Sequence, residues 1–185
     1  MERFRLVFSG SGGQGVITAS IILAEAAVLY ENMNAVQSQV YGPAARGGAA
    51  RSDVLISERA IDFPKVTHPN VLVALTQAAY NAYTPIIRPG SLLITDTRFV
   101  KIQSKVDARQ RELPLYDTVM EKIGNPIVFN ICVLGALVAL TEIVKPQSVI
   151  RVLSERVPAG SLEMNQKALE LGLNLGRNAG SLKKE

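Results

Sequence analysis

Six residues near the amino terminus, Gly10-Ser11-Gly12-Gly13-Gln14-Gly15, restrict what this chain can fold into more than any other stretch. Four of the six are glycine, and each glycine raises the entropic cost of ordering the backbone. Such a segment suits a turn too tight for side chains, or a main chain that something approaches closely. The flanks supply the setting. Residues 4–9 read as a strand, and residues 15–31, rich in Ala, Ile and Leu, read as a buried helix. A strand, a glycine turn and a helix in that order aim the helix's free N–H groups and the positive end of its dipole at whatever lies over the turn. That predicts an anion site. Gly10-x-Gly12-x-x-Gly15 has dinucleotide-binding spacing, but that reading wants an acid at the end of the second strand to hold a ribose hydroxyl. Gln37, Ser38 and Gln39 stand there instead, which counts against a nicotinamide cofactor. The same glycines also serve a plainer purpose, close packing of helix on strand.

Strand-like runs of Val, Ile and Leu alternate with helical ones downstream. This predicts an α/β, Rossmann-like, doubly wound and largely parallel sheet with helices on both faces and a helical C-terminal part. Strands are expected over 34–41, 51–57, 71–75 and 91–95, with a short one somewhere in 101–126. Helices are expected over 77–87 and 117–123, and from 127 onward with breaks at Lys145-Pro146 and Val157-Pro158-Ala159-Gly160. No repeat, low-complexity tract or linker interrupts the pattern, so residues 1–185 are expected to form a single domain. That length allows about two-thirds of the unfolded surface to be buried.

Composition excludes several classes of function. Hydrophobic residues make up 48% of the chain and charged residues 19%, which predicts a real core. A net charge of +4, without a basic stripe, does not describe a nucleic-acid surface. Cys132 is the only cysteine and His68 the only histidine. The chain therefore holds no disulfide or Cys-ligated cluster of its own, and no His-based metal site or triad is expected. Cys132 reads as a buried, inert thiol and His68 as a surface residue. Ile127 to Val144 is apolar but contains Asn130 and Glu142 and is short for a membrane span. A strand starting this early leaves no room for a secretory signal, and a cytoplasmic location is expected. Asp53 and Asp96 are expected at strand ends and Asp62 in a loop, each a solvated turn carboxylate, so no catalytic residue is assigned. Asn130 and Asn165 read as helix caps, with a hydrogen bond to a neighbouring loop as the alternative.

A second constellation, Tyr41-Gly42-Pro43-Ala44-Ala45-Arg46-Gly47-Gly48-Ala49-Ala50-Arg51, follows the second strand. In a doubly wound sheet it lies near the glycine turn, at the carboxyl edge where ligands collect. The Arg46 guanidinium is suited to phosphate or carboxylate, which it can grip with two parallel N–H bonds. It is equally suited to a salt bridge with a partner chain or to capping a carbonyl.

Taken together, these residues resemble the gamma subunits of 2-oxoacid:ferredoxin oxidoreductases, most closely those of the 2-oxoglutarate enzymes. The likeness runs through Gly10-Ser-Gly-Gly-Gln-Gly15, Thr18-Ala19, Gln37-Ser-Gln-Val-Tyr-Gly-Pro43, Arg46-Gly-Gly48, Ser52-Asp-Val-Leu-Ile-Ser57, Ile61-Asp-Phe-Pro64, Asn70-Val-Leu-Val-Ala-Leu75, Gly135-Ala-Leu-Val-Ala-Leu140 and Asn165. Ala44 departs from the family pattern, where glutamate often follows the Gly-Pro pair. The resemblance implies a subunit of a hetero-oligomer rather than a complete enzyme. Alpha, beta and ferredoxin-like partner subunits would carry thiamine diphosphate, Mg and the iron–sulfur clusters, and ferredoxin would accept the electrons. Coenzyme A would take up the acyl group at or near this chain. Gly10, Gly12, Gly13, Gln14 and Gly15, with Arg46, Gly47 and Gly48, are then the candidate contacts to its phosphates. A purely structural assembly subunit, and a stand-alone flavin or nicotinamide oxidoreductase, are the competing readings.

Overall fold

The computed structural model describes residues 3–40 and 50–180. Its strand–turn–helix opening consists of β1 (Phe4–Gly10) and α1 (Val16–Tyr30). After α1 come β2 (Asn34–Val40), β3 (Ala50–Ser57), β4 (Val71–Ala74), α2 (Gln77–Tyr83), β5 (Ser91–Asp96), β6 (Ala108–Leu113) and α3 (Leu115–Lys122). The chain then turns wholly helical, through α4 (Phe129–Thr141), α5 (Pro146–Arg156) and α6 (Ala159–Asn178). The expected helix over 77–87 stops at Tyr83, and Thr84–Ile86 tighten into a 3-10 turn. Pro85 lies in that turn, where its missing N–H forfeits no helical bond.

The strands form one six-stranded sheet in the order β2-β3-β1-β4-β5-β6. β1, β4, β5 and β6 run parallel; β4 and β5 are wholly buried, as central parallel strands tend to be, while the edge strand β6 is polar and largely uncovered. β3 runs antiparallel to both of its neighbours. The reason is the connection 41–49, which is shorter than the dozen or more residues a parallel crossover needs. Register is pinned on both sides of β3: Gly10 pairs with Ala50, and Val40 with Arg51.

Alternation along the strands divides the core. Leu6, Phe8, Val54, Ile56, Val73 and Ile94 face α1 and the helices from α3 to α6. Val7, Leu55, Leu72 and Leu93 face a thinner cover made by Tyr80 and Tyr83 of α2 with Val66 and Val100. Helices thus cover both faces, unequally. α4 is apolar on nearly every side and buried except at Ala139 and Thr141, as such a helix must be. It meets α6 through small residues, for a Cβ on Gly172 would run into the carbonyl of Cys132 and one on Gly135 into that of Leu169. Among the described residues no helix is long and apolar enough to cross a membrane.

Candidate functional site

β1, β4, β5 and β6 all end on one edge of the sheet, and the glycine turn sits there between β1 and α1. Its four glycines have different causes. A side chain on Gly10 would stand 2.5 Å from Oε1 of Gln14 and 3.3 Å from Cβ of Leu75, so Gly10 leaves room for the loop's own packing. Gly13 (φ +88°) and Gly15 (φ +68°) take left-handed backbone, which side chains disfavour. Gly15 is also crowded, since its Cβ position lies 2.7 Å from the Asn130 carboxamide. Gly12 is different: among the described residues no atom lies within 4 Å of where its Cβ would be, and its φ is outside the left-handed region. Nothing among the described residues demands a glycine there.

Ser11, Gly12 and Gly13 are exposed. Among the described residues no side chain caps α1 at Gly15, so its first N–H groups and dipole end suit an anion. Gln14 turns inward. Its Oε1 accepts the Ser11 N–H at 2.8 Å and its Nε2 donates to the Leu75 carbonyl at 3.2 Å. Asn130, the second residue of α4, reaches the same loop by donating to the Gly15 carbonyl at 3.4 Å. The cap expected at Asn130 is therefore the alternative, a tie between helix and loop. Asn165 is no cap either; its carboxamide donates to the Ser161 carbonyl at 2.8 Å within α6.

Arg46, Gly47 and Gly48 lie outside the described residues. Their anchors do not. Ala50 pairs with Gly10 and its carbonyl accepts the Ser9 hydroxyl at 3.0 Å, so the 41–49 connection leaves and rejoins the sheet beside the glycine turn. Gln37 points toward α1, where its Nε2 donates to Ser52 Oγ at 2.7 Å and Ser52 shares a 2.6 Å hydrogen bond with Ser20. Arg51 forms a two-pronged ion pair with Asp53 at 2.6 and 2.8 Å and lies 4.9 Å over the ring of Tyr83.

Two carboxylates depart from expectation. Asp53 is in the middle of β3 rather than at its end, and burial pushes its carboxyl above the ordinary range even with Arg51 attached. Asp96 does end β5 but is fully buried, not solvated. It accepts N–H bonds from Arg98 (2.8 Å) and from Tyr116 at the start of α3 (2.7 Å). Burial raises its pKa, and the two N–H donors offset part of that rise. It fastens a turn and a helix start, and its polar atoms face the interior. No periodicity marks such a residue; the only sequence signal is an acid closing a strand with an apolar centre, two residues before an exposed Arg98. Beside it, the Cys132 thiol is pushed up to about 12, by burial first and then by the Asp96 charge. His68 is exposed, next to Thr67. Among the described residues no group of His, Cys, Asp or Glu is placed to hold a metal ion.

An open, glycine-built turn at a sheet edge is common to many α/β proteins, and comparison with known proteins narrows the choice. The family model described as pyruvate ferredoxin/flavodoxin oxidoreductase matches residues 5–175. The chain belongs to that family. Within the pyruvate ferredoxin/flavodoxin oxidoreductases, it is 43% identical to 2-oxoglutarate synthase subunit KorC of Methanocaldococcus jannaschii, over 95% of each chain. It is 40% identical to the KorC subunit of Methanothermobacter marburgensis, over 94% of this chain and 96% of that one. Among solved structures, the gamma subunit of a keto/oxoacid ferredoxin oxidoreductase from Geobacter sulfurreducens superposes with a TM-score of 0.88 at 38% identity, covering 97% of this chain and 99% of that one. The 2-oxoglutarate:ferredoxin oxidoreductase of Magnetococcus marinus, solved with 2-oxoglutarate, coenzyme A and succinyl-CoA bound, carries the same fold in 32% of its chain, with a TM-score of 0.86 at 21% identity over all of this one.

Proposed function

We propose that residues 1–185 act as one gamma-type domain of a coenzyme A-dependent 2-oxoglutarate:ferredoxin oxidoreductase in the cytoplasm. The complex would oxidatively decarboxylate 2-oxoglutarate to succinyl-CoA and pass the electrons to ferredoxin. Thiamine diphosphate with its Mg, and the iron–sulfur clusters, would be held by alpha, beta and ferredoxin-like partner subunits. A single cysteine cannot ligate a cluster alone, and bond-breaking chemistry is left to those partners. This chain's own part is to help form or cover the coenzyme A site.

The observation that carries the reading is Gly12, a glycine that neither its backbone conformation nor any neighbour among the described residues requires, exposed beside a helix start that no described side chain caps. That combination suits a ligand approaching the main chain closely. Coenzyme A brings a pyrophosphate and a ribose phosphate, which backbone N–H groups at a helix N-terminus and a guanidinium receive well. The 43% identity to a 2-oxoglutarate synthase subunit supports the choice of oxoacid.

Arg46→Ala in the assembled enzyme tests it. Loss of one charge-assisted hydrogen bond, about 1.5–3 kcal/mol, raises the KM for coenzyme A roughly tenfold to a hundredfold. Unchanged coenzyme A kinetics in an intact complex would reassign Arg46 to subunit contacts. One observation favours that second, assembly-only reading: Ile127, just ahead of α4, is 72% exposed.

A further inference from the structure

Gln14 is exceptional within the glycine turn. It carries a long polar side chain beside a prospective anion site, yet both ends of its carboxamide are occupied by the protein itself. Oε1 takes the Ser11 N–H at 2.8 Å, and Nε2 gives to the Leu75 carbonyl at 3.2 Å, just past the end of β4. Leu75 in turn donates its own N–H to the Ser9 carbonyl at 2.9 Å. Three bonds thus stitch the two sides of the turn to the end of a central strand. Gly10 makes this possible, since a Cβ there would stand 2.5 Å from the Gln14 Oε1.

We propose that Gln14 is the positioning residue of this site. It does not touch the ligand; it holds Ser11, Gly12 and Gly13 with their backbone turned outward, so that the loop is ordered before a phosphate arrives. A segment this rich in glycine has unusually many conformations to lose. Any ordering left until binding is subtracted from affinity. The candidate site accordingly separates into a contact segment at Gly12 and Gly13 and a brace made by Gly10 and Gln14. The inference rests on the reading of the loop as part of a coenzyme A site.

Two variants reach the brace from opposite sides. Gln14→Met keeps the length of the side chain but makes neither hydrogen bond. Gly10→Ala keeps the glutamine and puts a methyl where its carboxamide rests. Amide hydrogen exchange is followed on the full chain, and steady-state kinetics on the assembled enzyme. In both variants exchange should quicken at residues 11–13 while the sheet stays protected. The KM for coenzyme A should rise roughly fivefold to tenfold, the effect of about one neutral hydrogen bond. kcat at saturating coenzyme A and the KM for the oxoacid should hold. Unchanged exchange together with a raised KM overturns the proposal and makes Gln14 a direct ligand contact. Faster exchange with unchanged coenzyme A kinetics leaves the brace standing and overturns the coenzyme A reading beneath it. Exchange rising across the whole sheet in both variants makes the two residues general supports of the fold and overturns the positioning role.

Discussion

Two glycines three residues apart should respond to alanine in opposite ways. At Gly15 the backbone is left-handed, with φ +68°, and forcing an L-residue into that region costs about 1–2 kcal/mol. The new Cβ would also sit 2.7 Å from Cγ and Nδ2 of Asn130, well inside the 3.4 Å at which ordinary contact begins. Asn130 is only 8% exposed and cannot swing freely away, so overpacking adds about 1–3 kcal/mol. Gly15→Ala should therefore destabilise the chain by about 2–5 kcal/mol. At roughly 2–4 °C per kcal/mol for a chain of this size, the midpoint falls by about 4–20 °C. Gly12→Ala meets no described atom within 4 Å and stays outside the left-handed region. It should be neutral, or stabilising by about 0.4–1 kcal/mol through the unfolded state. Thermal melts of the full chain followed by circular dichroism, in one buffer, give both midpoints. Kinetics of the assembled enzyme then ask whether Gly12→Ala, with its fold intact, raises the KM for coenzyme A. Equal midpoint losses in the two variants would refute the account of the turn.

Two further expectations concern the interior at the same sheet edge. Burial raises the pKa of Asp96 above its ordinary 3.8, so the stability it contributes is complete below that value and is lost as pH rises through the raised one. The midpoint advantage of the wild type over Asp96→Asn should then be larger near pH 3.5 than at pH 7, and an advantage that grows with pH would contradict this. Cys132, fully buried and pushed up to about 12, should resist iodoacetamide in the native chain at pH 8 and be alkylated stoichiometrically in denaturant. Native labelling at the rate of a free thiol would show that α4 is open to solvent.

Much of the architecture was legible because period and composition report burial directly. β1, β4 and β5 each carry an apolar run of three or four residues, Leu6–Phe8, Val71–Ala74 and Leu92–Ile94, and they stand within a residue or so of their expected limits. α1 and α4 are read as easily, being apolar all round. The direction of β3 was harder. Its residues alternate only partly, and the decisive signal was the length of the 41–49 connection rather than any strand residue. The close approach of α4 and α6 was invisible for a different reason. Gly135, Gly172 and Gly176 read as weak helix formers, and only the neighbouring backbone shows why no side chain fits there. At the site, the glycine turn and its place at the sheet edge followed from strand-then-helix order. The inward turn of Gln14 did not, because a carboxamide's partners are main-chain groups supplied by another strand. Asp96 was misjudged by the same logic: nothing about an aspartate in sequence tells whether the N–H groups it caps are close by.

The hairpin of β2 and β3 has a practical corollary. β3 is bonded along both of its edges, so the segment between Val40 and Ala50 runs between two strand ends that are both held in the sheet. Its wording can be exchanged, as in a loop graft, provided the length is kept, because the register of a hairpin follows the length of its connection. Transplanting residues 41–49 from relatives that prefer other oxoacids is thus a route to separate what that segment recognises from what the scaffold provides.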